Sequence, residues 1–255
     1  MRRCSPGEYD CGDMKILSWN VLHRVHAETH TEKAVERWPD EAQRVRAVAG
    51  WLMNALTAGD FDVALLQEVS GDVLAALRAQ FSARSVLDHL YPRVPKRNSG
   101  SLRDPREHLV VIAPAGAKIV RTHTFENDPG KGFLMVQLAS GPVVISTHLS
   151  WGPKATPQLL LLSQVLRDAP GPVCLGGDFN ADRDAVCRAI HEEAAISVFP
   201  EGSPCTRPRN SEGGGEDIDH LLCRGARLTE AHVLEHGGLS DHHPVGATLE
   251  LTPVA

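Results

Sequence analysis

Val173-Cys174-Leu175-Gly176-Gly177-Asp178-Phe179-Asn180 is an apolar run that ends in two glycines, a carboxylate and an amide. The run reads as a buried strand, and on extended chain Asp178 and Asn180 share one side of it. The glycines let backbone approach a ligand closely. A carboxylate there can take a proton from water while an amide orients that water or a phosphate. Taken alone, the segment also fits an Asx turn that leads into a helix.

Five other short polar motifs close apolar runs in the same way. Ser18-Trp19-Asn20 follows Lys15-Ile16-Leu17, and Gln67-Glu68 follows Val63-Ala64-Leu65-Leu66. Thr147-His148-Leu149 follows Val143-Val144-Ile145, and Ile218-Asp219-His220 and Ser240-Asp241-His242 come later. Strand ends that converge at one sheet edge are where α/β proteins place their chemistry. Carboxylates, amides and imidazoles without a Ser or Cys nucleophile triad suit a hard divalent cation and an activated water.

Each motif has an individual chemical reading. Glu68, an ionised carboxylate beside a core, needs a partner: a magnesium ion, a salt bridge or a helix N-terminus. Adjacent residues on extended chain point apart, which divides Asp241 towards a metal from His242 towards a phosphate. The second ring nitrogen of His242 wants an acceptor to fix its tautomer, and Asp219 is the candidate. His148 is a structural histidine, a phosphate ligand or a general acid for the leaving oxygen. Asn20 is a weak metal ligand by itself and useful beside Glu68. His243 reads as a loop filler.

The remaining chain organises around these motifs. Strands are expected at Lys15–Val21, Phe61–Glu68, His108–Ala113, Lys118–Phe125, Phe133–Ala139, Val143–Leu149, Val173–Asp178, Asp217–Cys223, Arg227–Leu234 and Val245–Leu251. Ser140-Gly141-Pro142 makes a hairpin of two of them. A helix at Asp40–Leu56 follows from a capping Asp40 and a face of Val45, Val48, Leu52 and Leu56. Further helices are expected at Asp72–Phe81, Pro157–Arg167 and Asp184–Glu193. His23–Pro39 reads as a long polar loop, Leu90–Arg106 as a mobile basic loop and Pro200–Glu216 as a surface loop. Early strands alternate with helices and later ones pair antiparallel, which fits two packed sheets with helices outside.

The bulk numbers are compatible with a catalytic domain. The chain has 255 residues, 42% hydrophobic, with 26 Lys and Arg against 32 Asp and Glu, a net charge of −6. That balance excludes a bulk non-specific grip on duplex phosphates and leaves room for a local basic rim, for which Arg93, Lys96, Arg97, Arg103 and Arg106 are candidates. The six cysteines form no CxxC pair, against a zinc ribbon. Cys174 reads as a core residue, and Cys4 and Cys11 as free thiols rather than a disulfide. No run is long enough for a membrane span, and the first residues lack the apolar core of a signal peptide. The expectation is a reduced, cytoplasmic protein. Met14 resembles a natural start, with residues 1–13 as a flexible extension and 14–255 as one catalytic domain.

In order, the six motifs resemble those of the endonuclease/exonuclease/phosphatase superfamily of magnesium-dependent phosphoesterases, from about Lys15 to Leu251. The resemblance implies a four-layer α/β/β/α sandwich: two face-to-face mixed β-sheets flanked by helices, with the site at one edge. It implies Asn20, Glu68 and Asp241 at the metal, which would be Mg2+ with Mn2+ as a substitute. It implies Asp178 at the attacking water with Asn180 beside it, His242 at the phosphate or nucleophile, and Asp219 behind His242. Either Asp178 or His242 is then the base. Thr147-His148-Leu149 carries His where the AP-endonuclease branch has Tyr, which is closer to the branch of pancreatic deoxyribonuclease, sphingomyelinase and the cytoplasmic deadenylases. Glu107 is the candidate partner of His148 in that pattern.

The resulting expectation is a phosphodiesterase acting on nucleic acid, DNA or RNA. A phosphatase or phosphodiesterase for a small phosphorylated metabolite, inositide or lipid headgroup is the alternative, favoured by the charge of −6 and by only 5% aromatic residues. An inactive binding module on the same fold is the third.

Overall fold

A computed structural model describes residues 13–96, 100–190, 193–208 and 214–251. Residues 1–12, with Cys4 and Cys11, and Arg97 lie outside these. The first sheet takes β1 (Met14–Asn20), β2 (Val63–Ser70), β3 (Ser85–Leu90), β4 (Glu107–Ala113), β13 (Arg227–Val233) and β14 (Val245–Glu250), in the order β13-β14-β1-β2-β4-β3. The second takes β5 (Lys118–Thr124), β6 (Gly132–Gln137), β7 (Val143–His148), β8 (Val173–Asp178), β9 (Ala195–Ile196) and β12 (Asp219–Arg224), in the order β5-β6-β7-β8-β12-β9. A short ribbon pairs β10 (Arg207–Pro208) with β11 (Gly215–Glu216).

The helices are α1 (Arg24–Thr29), α2 (Lys33–Arg37), α3 (Glu41–Thr57), α4 (Gly71–Gln80), α5 (Ala155–Asp168) and α6 (Arg183–Ile190). Strand alternation sorts side chains into three apolar layers. Leu17, Trp19, Ala64 and Leu66 pack against Val48 and Leu52 of α3 and Leu77 of α4. Ile16, Val63 and Leu65 turn the other way and meet Leu134, Val144, Cys174 and Leu221 between the sheets. Ile145, Leu175 and Phe179 pack under Leu162 and Leu166 of α5 and Val186 of α6. The central strands are therefore unbroken apolar runs because both faces are covered.

Two pairs of parallel strands aim their ends at one edge. Asn20 is in register with Gln67, and His148 with Asp178. The antiparallel β12 brings Asp219 beside Asp178. Gln67 ties the two rows together: its Nε2 donates to Ser146 Oγ of the second sheet at 3.2 Å and to Ser18 Oγ at 3.4 Å. A bulge between Leu66 and Val69 interrupts the β2–β4 register, and Glu68 inside it has a φ of 56°.

Several local expectations change. His23–Pro39 holds α1 and α2, which are too short to show a hydrophobic period and are held by tertiary bonds. Arg24 ion-pairs with Glu28 at 2.7 Å and donates to the Trp38 carbonyl at 2.8 Å. β3 is a half-buried edge strand with no strong pattern of its own. The two glycines of β8 serve sheet packing. A Cβ on Gly176 would meet Leu221 and Leu65 at 2.6 and 2.8 Å, and one on Gly177 would meet the Thr147 carbonyl oxygen at 2.0 Å.

Arg44 of α3 is 2% exposed and clamps the loops on which the site stands. Its guanidinium donates to the carbonyls of Val21, Leu22 and Leu239 at 2.8 Å each, and to both carboxylate oxygens of Glu41. Replacing it by Met leaves three carbonyls without this donor and the buried Glu41 with Arg24 at 3.7 Å as its remaining cation among the described residues. The expected cost for Arg44→Met is about 3 kcal/mol or more, read from urea unfolding. An unchanged midpoint and slope would show the clamp to be dispensable.

Candidate active site

The convergent strand ends enclose a cavity of about 150 Å³. Of the residues singled out in the sequence, Glu68, His148, Asp178, Asn180, Asp241 and His242 line it. Asn20 borders it through a bond from its Nδ2 to Asp178 Oδ2 at 3.0 Å. Asp219 stands behind His242, accepting from its Nδ1 at 2.8 Å.

Asp178 is the hub. Its Oδ2 lies 3.2 Å from His148 Nε2 and 3.8 Å from His242 Nε2, and its Oδ1 accepts the Asn180 backbone N–H at 2.9 Å. That last bond is an Asx turn, and Asn180 has a φ of 47°, so the chain is not extended there. Asn180 Nδ2 donates to the Leu149 carbonyl at 2.8 Å, so the donor end of the amide holds the turn. Burial would raise the carboxyl pKa of Asp178. The charges of His148, His242 and Lys131 outweigh it and hold the group below the usual carboxylate range.

His242 is 3% exposed. Burial opposes its charge, but Asp219, Asp241 and Asp178 surround it and raise its pKa to about 10. Asp219 is raised, first by burial, with His242 acting against it. Asp241 and His242 both face the cavity, 4.0 Å apart, because their chain is bent rather than extended. Arg207 Nε and Nη2 each lie 3.1 Å from Asp241 Oδ2.

Glu68 accepts the His23 backbone N–H at 2.9 Å and lies 3.2 Å from His26 Nδ1. Burial would raise its pKa, and His26, His148 and Lys131 pull it well below the usual value. Glu107 is fully buried and lies 3.4 Å from His26 Nε2, so its recorded imidazole partner is His26 rather than His148. His148 is met instead by Lys131 Nζ, which contacts both ring nitrogens.

His26, Lys131 and Arg207 were not foreseen as site residues. For Lys131 a signal existed: the Ser140-Gly141-Pro142 turn puts Gly132 opposite His148, and Lys131 is next to it. His26 and Arg207 come from segments read as loops. Arg93 is bound to Asp128 and Arg106 to Asp104, and neither they nor Lys96 and Arg103 line the cavity.

Among the described residues, two groups bring donor atoms within 4.8 Å of one another: Glu68, His148 and Asp178, and Asp178, Asp219 and His242. The first opens on the cavity, and its two buried carboxylates are balanced by cations on the cavity wall. Such a mixed oxygen and nitrogen set fits a divalent ion. Asp241 stands outside both groups of acidic and imidazole side chains. Asn20 Oδ1 accepts from the Leu22 backbone, and Asp241 is paired with Arg207.

The sequence model of the Endonuclease/Exonuclease/phosphatase family matches residues 17–242. The chain belongs to that family. Its members are phosphoric ester hydrolases, and the two-sheet sandwich is their fold. A humanised TDP2 from D. rerio superposes with a TM-score of 0.66 at 16% identity, over 93% of this chain and 98% of that one. A family protein from Bacteroides vulgatus gives 0.67 at 16% identity, over 94% and 100%. A D. rerio TDP2 complexed with a single-strand DNA product gives 0.65 at 16% identity, over 93% and 99%. At these identities the likeness shows the fold. A UPF0294 protein of Vibrio cholerae is 32% identical over 88 residues, which span 34% of this chain and 31% of that protein. No described helix is long and apolar enough to cross a membrane.

His236 gives the site loop an acid-sensitive support. Its Nδ1 accepts the backbone N–H groups of Leu239 and Ser240 at 3.0 and 3.4 Å, which requires that nitrogen to be unprotonated. Burial, with His243 and His242 nearby, lowers its pKa to about 4. The unfolded chain then binds a proton that the folded chain refuses, so stability falls as pH drops from about 6.5 to about 4. His236→Gln should flatten that part of the urea-midpoint profile against pH. An unaltered profile would remove His236 as its source.

Proposed function

We propose that this protein is a divalent-metal-dependent phosphodiesterase that cleaves nucleic acid by in-line attack of water. The observation that carries the reading is Asp178, a buried, ionised carboxylate within 4 Å of His148 and His242. The D. rerio TDP2 structure with its DNA product supports a nucleic-acid substrate. A divalent ion, Mg2+ with Mn2+ as a substitute, would be held by Glu68, Asp178 and His148 and would supply positive charge against the phosphoryl oxygens.

The chain's own residues divide the remaining work. His242, its pKa raised to about 10 by Asp219, Asp241 and Asp178, favours its protonated form. The role of proton acceptor for the attacking water is assigned to Asp178, a carboxylate that the surrounding cations keep ionised. His242 keeps its charge through Asp219 and presents Nε2–H to the phosphoryl oxygens, where negative charge develops. Asn20 and the Asn180 backbone aim Asp178, each donating to one of its oxygens. Lys131 and Arg207 bring cations to the cavity wall, where a phosphate would sit.

A second reading, hydrolysis of a small phosphorylated metabolite, inositide or lipid headgroup, is favoured by the small cavity and the net charge of −6. One panel separates the two. It contains single-stranded RNA, single- and double-stranded DNA, bis(p-nitrophenyl) phosphate and several sugar and inositol phosphates, with and without Mg2+. The expected result is metal-dependent cleavage of a polynucleotide, lowered about 10³-fold in Asp178→Asn. Turnover of small phosphomonoesters alone would replace this reading with the second.

Glu68→Gln should raise the metal concentration needed for half-maximal activity. An unchanged metal requirement would take Glu68 out of the metal site.

A further inference from the structure

Trp151 follows β7 and sits where two hollows meet. It lines the catalytic cavity together with His148, Asp178 and Arg207, and also an adjoining groove of about 770 Å³. Asn180 is shared between the two hollows in the same way. The indole is 50% exposed, and it is the only aromatic among the exposed large apolar side chains of the described residues. An aromatic left open to water at the mouth of a reaction centre lacks the burial that explains most tryptophans.

The backbone on either side of it is held in place. Ser150, just before it, donates its hydroxyl to Asp128 at 2.9 Å, and its backbone N–H donates to Gln158 Oε1 at 2.8 Å. Gln158 Nε2 in turn reaches Ser150 Oγ at 2.9 Å. Gly152, just after it, has a φ of 64°, a turn that suits glycine. Arg207 lies with its guanidinium carbon 5.8 Å from the indole ring centre. The result is a flat apolar ring on a fixed stretch of backbone, with a cation over one of its faces, next to the carboxylate assigned to the attacking water.

The groove beyond it has a distinct lining. Thr156 and Leu159 border it on the α5 side. Asp182, Asp184 and Asp217 border it elsewhere, with Arg183 among them. Carboxylates repel a second phosphate and accept hydrogen bonds from amino groups. A flat ring system that carries amino groups and one attached phosphate meets all of these features at once.

We propose that this groove is a nucleoside subsite, in which Trp151 stacks the base of the nucleoside whose sugar carries the scissile phosphate. The inference rests on the nuclease reading and gives its substrate a required part: an intact base beside the bond that breaks. Base-on-aromatic stacking contributes about 1–3 kcal/mol per base, which corresponds to about 5- to 150-fold in kcat/KM.

The test compares wild type, Trp151→Phe and Trp151→Ala on a short single-stranded oligonucleotide and on copies with an abasic residue on either side of the cleaved bond. Trp151→Ala should lose about tenfold or more in kcat/KM on the intact oligonucleotide, with Trp151→Phe retaining most of it. On the copy that lacks the stacked base, the three proteins should be alike, all slower than wild type on the intact strand. In parallel, a dinucleotide should quench the tryptophan fluorescence of Asp178→Asn, and ribose 5-phosphate should not. The quench should vanish when Trp151→Phe is added to that variant.

Cleavage of the oligonucleotides with no dependence on Trp151 or on the base would overturn the subsite and leave the nuclease reading intact. Quenching by the dinucleotide without cleavage of any oligonucleotide would retain the subsite and remove the nuclease reading. Absence of both would overturn both.

Discussion

Asp178 carries a full charge at 2% exposure, and the structure around it answers that constraint. A buried carboxylate without partners would be neutral or would destabilise the fold. Here two imidazoles, an amide, a backbone N–H and the nearby Lys131 share the task. His242 is in turn held cationic by Asp219, a second buried acid, and Glu68 lies in the field of His26, His148 and Lys131. The site is thus a chain of alternating charges whose members are individually costly and jointly stable. The same arrangement favours an ionised Asp178 beside a cationic His242.

The backbone spends strain in the same place. Of the five non-glycine residues with positive φ among the described residues, Leu22, Glu68 and Asn180 line the candidate cavity. Such conformations cost of order 1–3 kcal/mol each and persist only where surrounding structure over-determines them. The surroundings are visible. Arg44 holds the Val21 and Leu22 carbonyls, and Gln67 joins the sheets beside Glu68. The Asx bond from Asp178 holds Asn180. Catalytic geometry and tertiary packing are therefore the same set of contacts.

The layered sandwich was legible in the sequence because its central strands are covered on both sides and end in polar motifs. The spacing of Val45, Val48, Leu52 and Leu56 revealed α3 for a similar reason, since one face is buried. What stayed hidden lacks a periodic signal. α1 and α2 are single turns or little more, and β3 is an edge strand. His26, Lys131 and Arg207 reach the site only through tertiary structure, and nothing in their neighbours' spacing marks them apart from the hairpin register that leads to Lys131. The glycines of β8 illustrate the opposite failure. Their small size was noticed as room for a ligand, and in the fold it serves contact between strands and sheets.

The bulge in β2 has a consequence for how this chain can vary. Before it, Ala64 and Leu66 face the helical layer; after it, Val69 does, so the extra residue reverses the parity of the strand. Removing one residue between Leu66 and Val69 would not simply shorten an edge. It would let β2 pair regularly with β4 and keep Val69 on the helical side, while removing the bulge that gives Glu68 the conformation pointing it at the cavity. Length at this point of the chain is therefore as strict a requirement as the identity of the glutamate itself.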